Sequence, residues 1–286
     1  MEVRWEPSIL KALLEPFGQE PNSPVAYGGP LWVREEAERL YNAEQDRRIS
    51  ELLSVRRPEV SVEDAYQVQW YGAALRIREG ARVIGHKVGL TSEAMQQQFG
   101  IQEPDSGLLL DQMVVGAGEV LRVDDLLAPR IEAEIAFRLG TDVKGGEMCK
   151  KALQEAVAET FLALEVIDSR YGLEGLTLPD SVADNAACAR IVLGQPVQGV
   201  PQNLTDELLT LSVDGTMAAS GYGRAVLGNP VRSLLWLARR LDASGVGLRA
   251  GDIVLAGAVH AILPLGAGQT VVVSSPRLPE AVLHAV

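Results

Sequence analysis

The chain contains few of the residues from which disulfide frameworks and zinc clusters are built. It has two cysteines, Cys149 and Cys188, and three histidines among its 286 residues. Two cysteines do not make a disulfide framework, and reduced thiols suit the cytoplasmic location that we expect. Because the histidines show no ligand-like spacing, a zinc centre is less favoured than a site for a harder cation.

The chain also lacks a basic excess and a long apolar run. Its formal net charge is -12, whereas nucleic-acid binding relies on a basic footprint. An acidic protein still binds an acidic substrate where a metal ion or a nearby lysine offsets the charge. No apolar stretch approaches the length of a bilayer span, and MEVRWEPSIL has no basic flank ahead of an apolar core. We therefore expect no nucleic-acid partner, no membrane span and no signal peptide.

The composition that remains is an ordinary globular mixture, with 47% hydrophobic and 22% charged residues. Residues 1–30 are rich in proline and glycine, which favours an irregular N-terminal arm. Residues 31–107 form a smaller region of helical and mixed pattern, in which Trp32–Leu53 is helical and Ser61 is the N-cap of a second helix. Residues 108–286 are dominated by β-type segments, interrupted by helices near Lys150–Phe161 and Pro230–Ala243.

The most informative segment is Arg130–Leu139, RIEAEIAFRL. Side chains of a strand alternate with period two, so Glu132 and Glu134 lie side by side on the face opposite the apolar residues. Two like charges so close repel each other. Water screens that repulsion on an exposed sheet face, whereas in a cleft a cation or a proton must relieve it. This segment alone is consistent with a solvated strand face and with a metal site.

A third glutamate favours the metal site. Glu165 lies near the middle of FLALEVI, an apolar run typical of a buried strand, where an unpaired carboxylate is costly. A salt bridge to Arg170 or Arg190 is one explanation. The other makes Glu165 a third ligand that joins Glu132 and Glu134. Three carboxylate oxygens suit a hard cation such as Mg²⁺ or Mn²⁺, with positions left for water and substrate.

Five motifs occur in a fixed order along the chain: PRIEAEIAF, ALEVIDSRY, DSVADNAA, VLGNPVRSLLWLA and LRAGDIVLAGAVHAILPL. In this combination the chain resembles the 2-keto-4-pentenoate hydratase and 4-oxalocrotonate decarboxylase family of the fumarylacetoacetate hydrolase superfamily, from about residue 43 to residue 273. The resemblance implies an α+β fold with a C-terminal mixed β-roll, the catalytic domain at residues 108–286, flanking helices and a smaller helical N-terminal region. It also implies a homo-oligomer, and Mg²⁺ or Mn²⁺ held by Glu132, Glu134 and Glu165.

The resemblance also assigns polar residues to the site. Lys87 in HKVGLTS and Asp105 in EPDSG match polar positions of the hydratase active site and are candidates for acid–base chemistry, although Lys87 can instead hold the substrate carboxylate by charge. Further residues are expected near the substrate, three from the resemblance and the last from its position in a C-terminal loop: Ser169, Asp184, Asn185 and His260. Ordinary structural explanations exist for an edge-strand lysine, for an aspartate in a turn and for an Asp–Asn pair that caps a turn.

The activity that the resemblance implies is that of a lyase acting on a small 2-oxo or 2-hydroxy-dienoic acid. The carboxylate and the adjacent oxygen of such an acid chelate one metal ion, which polarises the C2 oxygen as a Lewis acid. Addition of water at C4 of 2-hydroxypenta-2,4-dienoate then gives a 4-hydroxy-2-oxo acid. The same activation supports loss of CO₂ from 4-oxalocrotonate, so a decarboxylase is the alternative, and a non-catalytic partner subunit is the second alternative. The acid of EPDSG favours the hydratase.

Overall fold

The computed structural model describes residues 30–144 and 149–286. Of the predicted irregular arm, residues 1–30, Pro30 alone falls within this part of the chain. Both cysteines fall within it, and both are free thiols, Cys149 exposed and Cys188 buried. Among the helices of these two ranges, none is both long enough and apolar enough to cross a membrane.

Three helices begin the described chain: α1 (Leu31–Gln45), α2 (Leu53–Arg56) and α3 (Val62–Arg78). The predicted N-cap is confirmed, because Ser61 Oγ accepts from Asp64 N while the Asp64 carboxylate accepts from Ser61 N. The single helix predicted over Trp32–Leu53 is wrong. It breaks after Gln45, where Arg47 adopts a left-handed backbone with φ 49° that a right-handed helix does not contain.

Thirteen strands follow the helical start or alternate with later helices: β1 (Val83–Gly89), β2 (Asp105–Leu110), β3 (Val120–Leu121), β4 (Arg130–Leu139), β5 (Val157–Ile167), β6 (Cys188–Leu193), β7 (Val197–Gln198), β8 (Leu208–Val213), β9 (Thr216–Tyr222), β10 (Ile253–Ala258), β11 (Leu263–Pro264), β12 (Thr270–Ser274) and β13 (Ala281–Ala285). An eight-stranded sheet runs in the order β2-β1-β10-β4-β5-β6, with β11 beside β4 and β7 beside β5. A five-stranded sheet runs in the order β3-β13-β12-β8-β9. Most neighbours are antiparallel, whereas β1–β10 and β3–β13 are parallel.

Four later helices complete the described elements: α4 (Glu93–Phe99), α5 (Lys150–Ala156), α6 (Leu178–Ala183) and α7 (Pro230–Asp242). The predicted helix at Pro230 is confirmed, with Pro230 in the first turn and Asn229 Oδ1 accepting from Val231 N. The helix predicted to reach Phe161 instead ends at Ala156, because the following residues pair with β4 as part of β5. Helices therefore flank two mixed sheets, which confirms the predicted α+β class.

The predicted boundary between residues 107 and 108 falls within β2. Both β1 and β2 belong to the larger sheet, and β1 joins it through parallel pairing with β10 near the other end of the chain. The division of the chain into an arm, a smaller region and a catalytic region stays a prediction.

The core lies largely between the two sheets. The two faces of β4 therefore have different surroundings. Ile131, Ala133 and Ile135 are fully buried in the cluster that includes Leu211 and Val271 of the smaller sheet. The alternate residues of β4 point to the opposite face of the larger sheet, where Ala136 belongs to a second apolar cluster. The alternation predicted from the sequence therefore places Glu132 and Glu134 away from the smaller sheet.

Candidate metal and substrate site

Strand pairing brings three glutamates together on one face of the larger sheet. Glu132 of β4 lies directly opposite Glu165 of β5, and Glu134 follows two residues later on β4. One carboxylate oxygen of each lies within 4.8 Å of the other two. The three residues are 4%, 0% and 0% exposed, so water does not screen their repulsion. The solvated strand face that the sequence left open is therefore excluded.

Several oxygens of this triad make no hydrogen bond with the described residues: Glu132 Oε2, Glu134 Oε1 and both carboxylate oxygens of Glu165, of which Oε1 is in an ion pair with Lys87. The other oxygen of Glu134 accepts from Gly257 N at 2.7 Å. Burial and the neighbouring Glu165 raise the pKa of Glu132 to about 8, and burial also raises the pKa of Glu134 well above its ordinary value. A group of buried acids with so few hydrogen bonds fits a hard divalent cation, which would bind one oxygen of each glutamate.

Within the described part of the chain, Lys87 is the cation that forms an ion pair with the triad. Its Nζ lies 3.3 Å from Glu165 Oε1 and donates to the carbonyl oxygen of Ala186 at 2.9 Å. Burial lowers the pKa of the Lys87 ammonium, but Glu165 and Asp105 outweigh burial and raise that pKa above its ordinary value. The partner of Glu165 is therefore a lysine from β1, and neither of the two arginines proposed from the sequence. Lys87 is 3% exposed on a strand between β2 and β10, so it is not an edge lysine.

Asp105 lies beside Lys87. Its Oδ2 accepts from Ser181 Oγ at 2.5 Å, whereas its Oδ1 is buried without a donor among the described residues. A Cβ atom at Gly89 would lie 2.2 Å from that Oδ1 and 3.0 Å from Lys87 Nζ, so a glycine is needed where the two side chains meet. Burial raises the pKa of Asp105, while Lys87 opposes this effect. A carboxyl of raised pKa beside an ammonium is suited to proton transfer.

A cavity adjoins these groups, and its lining is of two kinds. Its charged residues are Lys87, Asp105 and Glu132. Its apolar side chains come from α4, from the end of β5 and from the segments that follow β1, α4 and β5: Leu90, Met95, Ile101, Ile167, Leu173 and Leu176. Thr91 also lines this cavity, and its buried Oγ1 has no partner among the described residues. The charged end suits an acid function, and the apolar side chains suit an uncharged hydrocarbon tail.

The residues expected near the substrate around α6 make contacts with the protein itself. Asp184 Oδ2 accepts from Ser169 Oγ at 2.9 Å, and its Oδ1 accepts from Arg170 Nε at 2.6 Å. The Asn185 side chain binds the backbone of Leu108 through both of its polar atoms. Asp184 and Asn185 line a different cavity, so direct contact of Ser169, Asp184 and Asn185 with the substrate stays a prediction.

His260 is close to β4, the strand that carries Glu132 and Glu134. Its Nε2 accepts from the backbone N–H of Ala133 at 3.2 Å, and its Nδ1 lies 2.8 Å from the Ala261 carbonyl oxygen. Burial lowers the pKa of His260, so the neutral ring is favoured. Ala133 lies between Glu132 and Glu134, so His260 supports the part of β4 that carries these two glutamates, and its contact with substrate stays a prediction.

Sequence reasoning missed two hydroxyl residues of the site. Ser181 binds Asp105, and Thr91 directs an unpartnered hydroxyl into the buried region beside Gly257, where a Cβ atom would lie 1.9 Å from Thr91 Oγ1. Thr91 lies in the motif HKVGLTS and Ser181 in the motif DSVADNAA, both of which carry the family resemblance. Membership of those motifs was the available signal.

Residues 82–283 match the fumarylacetoacetate (FAA) hydrolase C-terminal family. The chain belongs to the fumarylacetoacetate hydrolase family. It is 35% identical to 2-hydroxyhexa-2,4-dienoate hydratase of Comamonas testosteroni over 83% of this chain and 91% of the relative. It is 37% identical to 2-keto-4-pentenoate hydratase of Paraburkholderia xenovorans (strain LB400) over 84% of this chain and 89% of the relative.

A solved structure is similar to this chain over most of its length. It is 4-oxalocrotonate decarboxylase from Pseudomonas putida G7 complexed with magnesium and adipate, with a TM-score of 0.85 and 30% identity over 89% of this chain and 97% of that chain. The family predicted from the motifs and its fold type are therefore confirmed. The three glutamates, Lys87 and Asp105 all lie within the range that matches the family.

Proposed function

We propose that this protein is a metal-dependent hydratase that adds water to 2-hydroxypenta-2,4-dienoate or a close analogue and yields a 4-hydroxy-2-oxo acid. The observation that carries the proposal is the lining of the cavity beside Glu132, here called the metal-site cavity. This lining is charged at Lys87, Asp105 and Glu132 and is otherwise mainly apolar. A substrate with one carboxylate and a short hydrocarbon tail matches both parts of that lining. The hydratase relatives support the same assignment.

Glu132, Glu134 and Glu165 would hold the metal, for which we propose Mg²⁺ or Mn²⁺ because carboxylate oxygens suit both ions. When bound, the ion supplies Lewis-acid polarisation of a 2-oxo acid. Four buried carboxylates, the triad and Asp105, face one ammonium, Lys87. A dication offsets most of the excess negative charge and so permits an anionic substrate to enter.

We assign different tasks to Lys87 and Asp105. Because its pKa is raised, Lys87 stays protonated and acts on the substrate carboxylate by charge and hydrogen bonding. Asp105 has a raised pKa and a free Oδ1, so it accepts and returns the proton during addition of water. Ser181 keeps the Asp105 carboxyl in place through Oδ2. The apolar side chains around Leu173 and Leu176 exclude water from the tail of the substrate.

The alternative activity is decarboxylation of 4-oxalocrotonate, which the similarity to the decarboxylase structure favours. That substrate carries a second carboxylate at its far end. The described residues that line the cavity offer one cation, Lys87, and burial of an unpaired carboxylate among apolar side chains costs several kcal/mol, as a rough guide. The lining therefore favours the hydratase.

A non-catalytic partner subunit is the second alternative. Buried carboxylates without donors oppose folding unless a ligand uses them, so a chain that had lost its activity would gain stability by losing them. A homo-oligomeric assembly and a cytoplasmic location belong to our proposal as well. Sedimentation velocity tests the assembly, and cell fractionation tests the location.

The deciding experiment follows the dienol absorbance of 2-hydroxypenta-2,4-dienoate and of 4-oxalocrotonate, with Mg²⁺, with Mn²⁺ and with chelator, while CO₂ is measured in parallel. We expect metal-dependent loss of the pentadienoate without CO₂ release. Preferential turnover of 4-oxalocrotonate with release of CO₂ would establish the decarboxylase instead. Absence of turnover together with absence of metal binding would leave the partner-subunit role.

A further inference from the structure

The turn between α6 and β6 has an unusual backbone. Three successive residues, Asn185, Ala186 and Ala187, have φ values of 55°, 51° and 56°. Asparagine tolerates the left-handed region, but alanine has no polar side chain that compensates for the steric conflict. A run of this kind persists where the surrounding structure determines it, and such strain is concentrated at functional sites.

The contacts that hold this turn come from its own side chain and from neighbouring backbone. Asn185 Oδ1 accepts from Leu108 N at 2.7 Å, and Asn185 Nδ2 donates to the Leu108 carbonyl oxygen at 2.9 Å. The side chain thus binds β2 as a neighbouring strand would. A Cβ atom at Gly107 would lie 2.5 Å from the Asn185 carbonyl oxygen, so the turn and β2 are in close contact.

The turn lies between two cavities. A cavity of ≈ 270 Å³, with both polar and apolar residues in its lining, includes Asp184 and Asn185. The opposite side of the same turn, at Ala186 and Ala187, lines the metal-site cavity. On the side of the larger cavity, the turn is held by the hydrogen bonds of Asn185 with Leu108 and by the contacts of Asp184 with Arg170.

The left-handed turn places the carbonyl group of Ala186 beside Lys87. Ala186 O accepts from Lys87 Nζ at 2.9 Å, and the same Nζ lies 3.3 Å from Glu165 Oε1. We propose that Asn185 is a positioning residue, which clamps β2 and thereby holds the Ala186 carbonyl where it fixes the Lys87 ammonium beside Glu165. This role needs no contact between Asn185 and the substrate. It rests on the proposed function in one respect, that Lys87 acts on a 2-oxo acid.

The test is a double-mutant cycle on binding of pyruvate, the simplest 2-oxo acid, to the Mg²⁺-loaded protein by calorimetry. We expect Asn185→Ala to weaken binding by about tenfold, since an Å-scale displacement of a binding group has effects of that order or larger. In the Lys87→Met background the same change should have little effect, because its target is gone. An equal loss in both backgrounds would overturn the proposal.

Two further variants separate the clamp from backbone strain. Asn185→Gly keeps access to positive φ but lacks the clamp, so it should lose affinity as Asn185→Ala does; wild-type affinity would overturn the proposal. Gly107→Ala leaves Asn185 intact and displaces the turn from β2, and it should reproduce the loss. Asn203→Ala is the matched control, because Asn203 also has positive φ (57°) and does not line the metal-site cavity.

The outcomes remain distinct from those of the functional assay. If the pentadienoate is not hydrated while the pyruvate cycle shows coupling, the proposed function fails and the positioning role stands. If hydration occurs and the effects of the two mutations on pyruvate binding are additive, the proposed function stands and the positioning role fails. Should a variant unfold, the crystal structure of Gly107→Ala decides, since the proposal requires a longer separation between Lys87 Nζ and Ala186 O than the present 2.9 Å.

Discussion

Glu132 and Glu165 are directly opposed cross-strand neighbours, and both are buried in the middle of the larger sheet. Like charges in this position destabilise a sheet, yet the pairing of β4 with β5 continues without a register shift from Arg130 to Arg138. The apolar residues on the other face of β4, such as Ile131 and Ile135, pack against the smaller sheet and stabilise that register. Core packing thus imposes the repulsion, which a bound cation would relieve.

Glu132→Gln should stabilise the metal-free protein and abolish its response to metal. The change removes a carboxyl that must either take up a proton on folding or be buried as a charge, which we expect to raise the free energy of unfolding by roughly 1 kcal/mol or more without metal. It also removes a ligand, so Mg²⁺ should no longer raise the melting temperature and hydration should cease. Thermal unfolding with and without Mg²⁺ measures both effects.

The matched control for this prediction is Glu159→Gln. Glu159 lies on β5 as Glu165 does, but it pairs with Arg138 at 2.6 Å away from the triad. It should keep the response to Mg²⁺ and the activity. Full activity in Glu132→Gln would remove the metal site from the proposal.

The stability of the metal-free protein should fall as pH rises. Burial and Glu165 raise the pKa of Glu132 from 4.5 to about 8, so the folded state binds this proton more tightly than the unfolded chain does. The resulting stabilisation is complete below about pH 4.5 and is lost as pH rises through about 8. Mg²⁺ takes the place of the proton, so its stabilising effect should increase over the same range.

Melting temperatures measured at intervals from about pH 5 to about pH 9, with Mg²⁺ and with chelator, test this dependence. The difference between the two curves should widen with pH in the wild type and stay flat in Glu132→Gln. A constant difference in the wild type would contradict a metal that displaces protons from the triad.

Asp105→Asn should reduce hydration and leave metal binding unchanged. Loss of a positioned acid–base group typically costs about 10²–10⁴-fold in rate, and Asp105 is not part of the triad. Ser181→Ala should have a smaller effect of the same kind, because it removes the donor to Asp105 Oδ2 and leaves the carboxyl. Steady-state kinetics and Mg²⁺ titration separate rate from metal affinity; loss of Mg²⁺ binding in Asp105→Asn would count against this assignment.

Leu173→Arg should shift selectivity toward a dicarboxylate. Leu173 is half-buried in the apolar part of the cavity lining, and a guanidinium there would pair with a second carboxylate. We expect the ratio of kcat/KM for 4-oxalocrotonate to that for the pentadienoate to rise by about tenfold or more. Leu173→Gln, which is polar without charge, is the control and should leave the ratio nearly unchanged.

His260→Ala should weaken Mg²⁺ binding although His260 is not a ligand. Its Nε2 accepts from Ala133 N, and Ala133 lies between Glu132 and Glu134, the two glutamates of the triad that belong to β4. Loss of a group that supports ligands typically costs about 10–100-fold in metal affinity. His284→Ala serves as the control, because His284 is exposed and its side chain contacts Thr270 on the smaller sheet. Equal Mg²⁺ affinity in both variants would refute this supporting role.

The sequence by itself determined the local features of this protein. Alternation along RIEAEIAFRL was enough to place Glu132 and Glu134 on one face, because side-chain direction in a strand depends only on position. The N-cap at Ser61 and the helix that begins at Pro230 could likewise be predicted from the sequence, since a cap involves residues within one helical turn of each other. The ordered motifs, taken with Glu165, identified the family.

Tertiary structure alone decided which distant groups meet. The choice of Lys87 as partner of Glu165 follows from the parallel pairing of β1 with β10 and the place of β4 beside β10, which no local pattern encodes. The same holds for the break after Gln45 and for the conversion of residues 157–161 from predicted helix to strand. Contacts between segments far apart in the chain outweigh local preference there, because burial and sheet pairing contribute more than intrinsic propensity.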